Sequence, residues 1–534
     1  MPRNDKNMKP ESPLNLPQDD ILSKCIVHYL SHVGMKNCLQ LKQNLQERGS
    51  CTIRFATGCS GTDVFSLAVS SLQEVLSASF GCSIVFEHVF SVEVVAWKQD
   101  FIRRHFRPSA IFSDITSLLD GFSVDVTTNE KICIPHVDWW IAGFECDSVS
   151  SLNLNRKDNK ACVAVGEEKT GRTAQGVLDY IRLRLPAVVI LENVKAINNK
   201  DKNSGRSNLD ELIHLLNGMG YLVSANPLQA HNFGAPQMRE RYYIIACRAS
   251  CSPPCMQTDP KFQAPAWLVQ LPATLLSMQG IPPVALQEFL LPDGHPRLQK
   301  WQEDIFAARE KETARRGAQP ADSCGVGAVA EPKWEVDHLD LFRAAMLQWP
   351  PQFPPELEAA VRYLPRRAQE LVYYYTFRGG GPPYVGPETV HDVNMSASWE
   401  SSTQEACPCI VCSSTLWLRT LRRELYGGEA LAIQGFRHSF QKIEEMRLSQ
   451  TNLMDLAGNA FSAFCVVPVV LATLVHYPWP EICITDDDGG WSSSASAADQ
   501  VEHRGCTDIS NGSAEDENID NMCQSPPPKA RKLV

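Results

Sequence analysis

The chain carries no excess of positive charge. Its 534 residues hold 50 Lys and Arg against 61 Asp and Glu, a net of −11. Of that, −7 falls after Pro480, where 11 acidic residues meet 4 basic ones, and −4 falls on the rest. A broadly basic footprint for nucleic acid is therefore excluded, and any such role rests on local features. Long apolar runs are also lacking. The longest uncharged one, Ala460 to Val475, is short for a bilayer and contains Pro468, so a buried helix is expected and no membrane partner. The 19 cysteines are odd in number and scattered. Cys407, Cys409 and Cys412, with Cys247, Cys251 and Cys255, do not fall into paired Cys-x-x-Cys units, so no metal centre is expected. The opening MPRNDKNMKPESP is polar and does not read as a secretory leader. Free thiols in a reducing compartment are the expectation. Internal repeats are absent.

What is present is an alternation. After a polar leader, a helical segment is marked by Ile21, Ile26, Leu30 and Leu39. From Cys51 to Arg248, apolar stretches (TIRFAT, SIVFEHVFSVE, VDWWIAGF, AVVILEN, RYYIIACR) alternate with amphipathic helical patterns. Continuous apolar strands between helices predict an α/β sheet buried on both faces. Residues 249–404 are Pro-rich and read as irregular, with a loop near 318–330. Helical patterns return from Trp417 to His476, and the acidic, Ser-rich stretch after Pro480 predicts disorder.

In such sheets ligands sit beyond the carboxyl ends of the strands. Those ends carry Phe55-Ala-Thr-Gly58-Cys-Ser-Gly61, Ser91-Val-Glu93, Ser113-Asp114-Ile115, Gly143-Phe-Glu-Cys146-Asp147 and Glu192-Asn193-Val194. Two readings stay open at each. The glycine turn admits a cofactor to a helix N-terminus or is an ordinary tight turn. Glu93 grips a ribose or caps a helix, and Asp114 contacts a ligand or is an N-cap. Glu192 follows an apolar run, so partial desolvation should raise its pKa and suit it to general acid work. Cys146 stands between two acids that oppose its ionisation, so it is inert or activated from elsewhere. Arg239 and Arg241, two apart, share one side of a strand and either serve a site or pair with acids on an exposed face.

Taken in order, FATGCSG (55–61), SVEVVAW (91–97), SDIT (113–116), GFECDSVS (143–150), ENVKAI (192–197), PQMRERYYIIACR (236–248) and AGNAFSAFCVVPVVLA (457–472) resemble the C5-cytosine methyltransferases. RRELYGGEALAIQGF (422–436) is similar to the family's approach to the last motif. The likeness implies a Rossmann-like class I S-adenosylmethionine-dependent methyltransferase sheet with helices on both faces, plus an irregular inserted target-recognition region. The divisions implied are an N-terminal helical extension (1–50), a catalytic core (51–248), a target-recognition-like insert (249–404), the rest of the core (405–480) and a disordered acidic tail (481–534).

By resemblance Cys146 is the nucleophile that adds to cytosine C6. Glu192 meets ring N3, Arg241 meets the base O2 and favours the thiolate, and Arg239 supports the loop. S-adenosyl-L-methionine is the implied cofactor. Phe55 and Gly58 would lie near its adenine, Glu93 on the ribose, Asp114 on the adenine amine, and Asn459 would close the pocket. The stretch Asn153 to Gln175, net positive, would close over a flipped nucleotide or is simply a solvated loop. The implied partner is DNA, with RNA possible. Protein partners are not indicated. A nuclear location follows from this role and the basic end Pro528-Lys529-Ala-Arg531-Lys532. The family usually has Pro before and Gln after the nucleophile, where Glu145 and Asp147 stand here. Two alternatives remain. One is a tRNA-cytosine methyltransferase, a branch whose Cys-Phe-Thr segment is missing here. The other is a catalytically silent regulatory protein on the same scaffold.

Overall fold

The computed structural model describes residues 20–476 apart from 48–49, 151–161, 167, 202–203, 249–265, 318–332, 380–385, 397–400, 437–442 and 444. The acidic stretch after Pro480, expected to be disordered, lies outside them, as do Cys251 and Cys255.

Nine strands build one sheet: β1 (Ser50–Gly58), β2 (Ser83–Val92), β3 (Ala110–Phe112), β4 (Phe122–Asp125), β5 (Glu130–Cys133), β6 (Trp139–Ala142), β7 (Val188–Val194), β8 (Tyr221–Gln229) and β9 (Glu240–Arg248). Their order is β5-β4-β3-β2-β1-β6-β7-β9-β8. The five from β3 to β7 run parallel, and β9 lies antiparallel between β7 and β8. Interior strands are apolar because both faces are covered: every residue of Trp139–Ala142 is buried, as are Val188 to Asn193. One face packs on α1 (Ile21–His32), α2 (Met35–Glu47), α3 (Val64–Phe80) and the last helix, Ala463–His476. The other packs on α6 (Glu168–Arg184) and α7 (Asn208–Gly218), with the short α5 (Cys162–Val165) beside them. The remaining crossover helix is α4 (Ala96–His105). This is the expected α/β class. Strand order reverses at β1, between β2 and β6, which opens a crevice at their carboxyl ends.

Several elements depart from the sequence reading. β8 was not foreseen, because Ser224, Asn226 and Pro227 break its apolar run. The short β4–β5 hairpin at the sheet edge is mostly exposed, with its apolar Phe122 and Val124 facing solvent, and was not foreseen. α1 and α2 share the main core rather than standing apart: the Tyr29 hydroxyl donates to the carbonyls of Phe233 (2.5 Å) and Phe464 (3.2 Å). Leu39, read as one of the apolar marks of this helical segment, is exposed.

The largest correction concerns the insert. It is helical rather than irregular, with helices at Ala266–Ser277, Pro296–Gly317, Lys333–Ala344, Pro355–Val361 and Arg366–Phe377. Its prolines misled because they stand at helix starts (Pro296, Pro354, Pro355, Pro365), where the missing N–H has no helical partner to lose. A four-stranded sheet follows, Ser402–Gln404, Thr389–Asp392, Leu416–Leu418 and Arg423–Glu424 in spatial order. The run Gln450–His476 has the length and hydropathy of a membrane span, but 89% of its apolar window is buried inside the protein, as a core element would be.

Candidate active site

A cavity of about 320 Å³ opens at the carboxyl ends of β1, β2, β3, β6 and β7 and the start of β9. Its walls include Glu93, Asp114, Gly143, Cys146, Glu192, Arg239, Arg241 and Asn459. Residues separated by hundreds of positions meet here because the parallel strands all end on one side.

The turn after β1 forms one wall. Cys59 (φ 50°), Gly61 (φ 55°) and Asp63 (φ 54°) all take left-handed backbone, so a chain with glycine only at position 61 holds two strained residues. Polar bonds offset that strain. The buried Asp63 carboxylate accepts from Thr57, Ser66 and Ser91, and Thr57 bonds Ser60 at 2.7 Å. Glu93 reaches across from β2. Its carboxylate accepts Gly61 N–H at 2.8 Å and Val95 N–H at 2.9 Å, which fixes it at the cavity wall. Asp114 lines the cavity and also caps the following 3₁₀ turn, accepting Thr116 N–H at 2.9 Å. Asn459 lies at the same wall, its amide donating to Asp455, which pairs with the buried Lys98 at 2.7 Å. Thr62 bonds the Leu456 carbonyl at 2.8 Å, which draws this late helix beside the first strand.

Two cofactor assignments need correction. Phe55 does not reach the cavity. It is 1% exposed, stacked on His88 at 4.7 Å with Phe65 at 5.2 Å, on the opposite face of β1 from Ala56. Alternate strand residues face opposite ways, so a one-residue register error exchanges core for cavity. Gly58 serves packing: a Cβ there would sit 2.7 Å from the Trp140 ring.

Cys146 follows β6 in a loop held from three sides. Glu145 N–H donates to Thr173 Oγ1 (3.1 Å), Ser148 N–H to Thr170 Oγ1 (3.0 Å), and Asn193 Nδ2 to the Phe144 carbonyl (3.0 Å). Gly143 is required beneath it, since a Cβ would sit 2.5 Å from the Phe461 ring. Glu168 to Gln175, expected as loop, form the first turns of α6, while 151–161 lie outside the described residues. Burial, then Glu192 and Glu145, push the Cys146 thiol up to about 11 against the pull of Arg241, with Asp147 adding to the rise. Arg241 pulls toward the thiolate, as expected of it, but burial and the acids outweigh that pull. Asp147 is half exposed and meets Lys169 at 3.5 Å.

Glu192 and Arg241 are diagonal neighbours, because Val194 pairs with Arg241 and Glu192 with Tyr243. Arg241 Nε lies 3.4 Å from Glu192 Oε1, yet that buried oxygen receives no hydrogen bond. Burial raises the Glu192 pKa, and Arg241 and Arg239 only partly oppose it. Arg239 is buried and turns to the backbone, donating to the carbonyls of Ile410 (3.0 Å), Gly458 (3.2 Å) and Ala460 (2.6 Å).

Four participants escaped the sequence reading: Thr170, Thr173, Lys98 and Cys409. The threonines sit on a helix that read as loop, and Lys98 carried no motif. Cys409 Sγ accepts from Arg241 Nη2 at 3.5 Å, and its only signal was the cysteine cluster 407–412. Among the described residues no group of three or more His, Cys, Asp or Glu is arranged around a metal position.

Residues 57–287 match the family described as C-5 cytosine-specific DNA methylase. DNA (cytosine-5-)-methyltransferase DMT5 of Cryptococcus neoformans var. grubii is 25% identical over 488 residues, which is 86% of this chain and 18% of that protein. Over that region the chain is similar to the C-5 cytosine-specific DNA methylases. Type II methyltransferase M.MspI of Moraxella sp. is 30% identical over 122 residues, 23% of this chain and 27% of that protein. A solved S. pombe Dnmt2 methyltransferase covers 79% of this chain and 98% of its own, at 13% identity and a TM-score of 0.38. The chain thus spans about a fifth of the length of this fungal relative.

Proposed function

We propose that this chain transfers a methyl group from S-adenosylmethionine to C5 of cytosine in DNA, through a covalent adduct at Cys146. The observation that carries this reading is the convergence of Cys146, Glu192 and Arg241 on one cavity that Glu93, Asp114 and Asn459 also line. The residues suit the cofactor chemically. Carboxylates at 93 and 114 match ribose hydroxyls, an amine and a sulfonium charge, and a volume of about 320 Å³ is of the right order for it. When bound, S-adenosylmethionine supplies an electrophilic methyl group.

The chain's own residues prepare the ring. The target base must first leave its duplex to enter the cavity. The Cys146 sulfur then adds its electron pair to C6, opening the C5–C6 double bond and moving charge toward N3. Glu192, whose pKa burial raises, is the group that donates a proton there. Arg241, which lines the same cavity, is the residue to meet O2. Once C5 carries the methyl group, its proton passes to solvent water, the N3 proton returns to Glu192, and the C6–S bond breaks to release the thiolate. Arg239 holds Asn459 in place through the carbonyls on either side.

DNA is the proposed partner and the nucleus the proposed location. One observation favours the silent-scaffold alternative: Glu145 and Asp147 flank Cys146 and, with burial and Glu192, push its thiol up. The test is tritiated methyl transfer from S-adenosylmethionine to duplex DNA, hemimethylated DNA and total RNA. Transfer to either DNA is the expected result. Transfer to RNA alone would establish the tRNA-type activity instead. Tight cofactor binding without transfer to any substrate would establish the silent scaffold.

A further inference from the structure

Lys98 is the one buried lysine among the described residues, 7% exposed, and it lines the cavity. A lysine is seldom taken out of water unless its charge is paired. It stands in the first turn of α4, shortly after Glu93. The turn between them is tied down. Val95 N–H donates to the Glu93 carboxylate at 2.9 Å, Lys98 N–H to the Val95 carbonyl at 2.9 Å, and Gln99 Nε2 to the Glu93 carbonyl at 2.6 Å. One short, braced segment therefore places both Glu93 and Lys98.

The Lys98 ammonium meets Asp455 Oδ2 at 2.7 Å. Asp455 belongs to the helix Gln450–Asn459, whose last residue is Asn459. Its other oxygen accepts from Asn459 Nδ2 at 2.8 Å. An ionised carboxylate accepts and cannot donate, so the Asn459 amide must turn its nitrogen to Asp455 and its oxygen away. The backbone around Asn459 is held separately, by Arg239 at the carbonyls of Gly458 and Ala460. Those bonds do not set the torsions of the Asn459 side chain. Asn459 is exposed at the cavity wall, so close packing does not set them either.

We propose that Lys98 is a positioning residue for the cofactor. By fixing Asp455 it holds the Asn459 amide with its oxygen presented to an N–H or O–H donor of S-adenosylmethionine. This rests on the reading of the cavity as the cofactor site. The ion pair joins the segment that carries Glu93 to the one that ends in Asn459, and both residues line the cavity. Without the Lys98 charge, Asp455, whose side chain is 29% exposed, turns to water and releases the amide.

The experiment is calorimetry of S-adenosylmethionine and S-adenosylhomocysteine binding to the full chain, with thermal unfolding recorded for each variant. Lys98→Met keeps the stem and removes the charge. It should weaken both ligands by about tenfold, whereas Lys98→Arg, which still pairs with Asp455, should stay within about threefold of wild type. Asn459→Ala should lose about as much as Lys98→Met. Adding Lys98→Met to it should have little further effect, because the lysine acts through the amide. S-adenosylhomocysteine lacks the sulfonium charge, so equal losses for the two ligands separate positioning from a direct effect of the lysine's charge. If Lys98→Met fails to fold, Asp455→Ala removes the same link from its other end and carries the same expectation. Unchanged affinity in these variants, additive losses in the double variant, or a loss confined to one ligand overturns the proposal. A wild-type chain that binds neither ligand overturns the cofactor reading itself and this proposal with it, so the two failures are distinct.

Discussion

Two regions of this chain handle buried charge in opposite ways. In the helical insert, charges that leave water find close partners. His338 and Glu370, both almost fully buried, meet at 2.9 Å, and Arg366 adds a second contact to Glu370 at 2.9 Å. At the insert's junction with the core, Arg423 grips Glu429 with two bonds of 2.8 Å. A hydrophobic cluster around Leu371, Val372, Leu357 and Trp417 stands behind them. At the strand ends, charge is buried incompletely. Glu192 keeps an oxygen without a hydrogen bond, and Cys146 sits among three acids. Closed pairs hold a fold, whereas open ones leave capacity for a ligand at the expense of stability.

That contrast can be broken by experiment. The largest effect is expected at the cavity. Cys146→Ala should abolish the covalent adduct with an oligonucleotide containing 5-fluorocytosine while leaving thermal unfolding nearly unchanged. An adduct that survives would mean another thiol reacts. Next comes the insert, where Leu371 is fully buried. Leu371→Ala should lower stability by about 2–5 kcal/mol with cofactor affinity intact, measured by urea unfolding and calorimetry. A parallel loss of affinity would show that the two regions are not energetically separate.

A smaller change belongs to Glu93, whose carboxylate accepts two backbone N–H groups. Glu93→Ala should weaken S-adenosylmethionine binding by about 1.5–3 kcal/mol, and calorimetry showing equal affinity would remove it from the site. The smallest effect is expected from Glu145→Pro with Asp147→Gln. Both acids raise the Cys146 pKa, so their removal should move its alkylation midpoint below about 11 and increase thiolate at any lower pH. The gain should be modest, since Asp147 is half exposed and screened by solvent. Proline at 145 also deletes the N–H that donates to Thr173, so methyl transfer should slow although thiolate increases. Faster transfer on every substrate would show that the acids are only a handicap.

How far the sequence could be read differed along the chain for physical reasons. β6 and β7 were plain because a strand buried on both faces is a continuous apolar run. β8 was hidden because its register depends on β9, not on its own alternation. The helices of the insert were hidden by prolines whose meaning depends on whether they stand at N1 or mid-helix. Phe55 was misassigned because one residue of register separates the two faces of a strand, and composition does not fix which face is wet.

The sequence by itself determined the α/β alternation, the strand-end positions of Glu93, Asp114, Cys146 and Glu192, and the resemblance carried by the order of their motifs. These are local properties: buried runs and the residues that end them. Only the tertiary structure decided where Arg241 spends its donors, that Arg239 ties Ile410 to the Gly458–Ala460 turn, and that Cys409 enters the site at all. Those contacts join positions about 170 to 220 residues apart. Their partners are fixed by how the sheet, the late helices and the cysteine-rich segment pack, and a single side chain's alternatives are nearly equal in energy until that packing is complete.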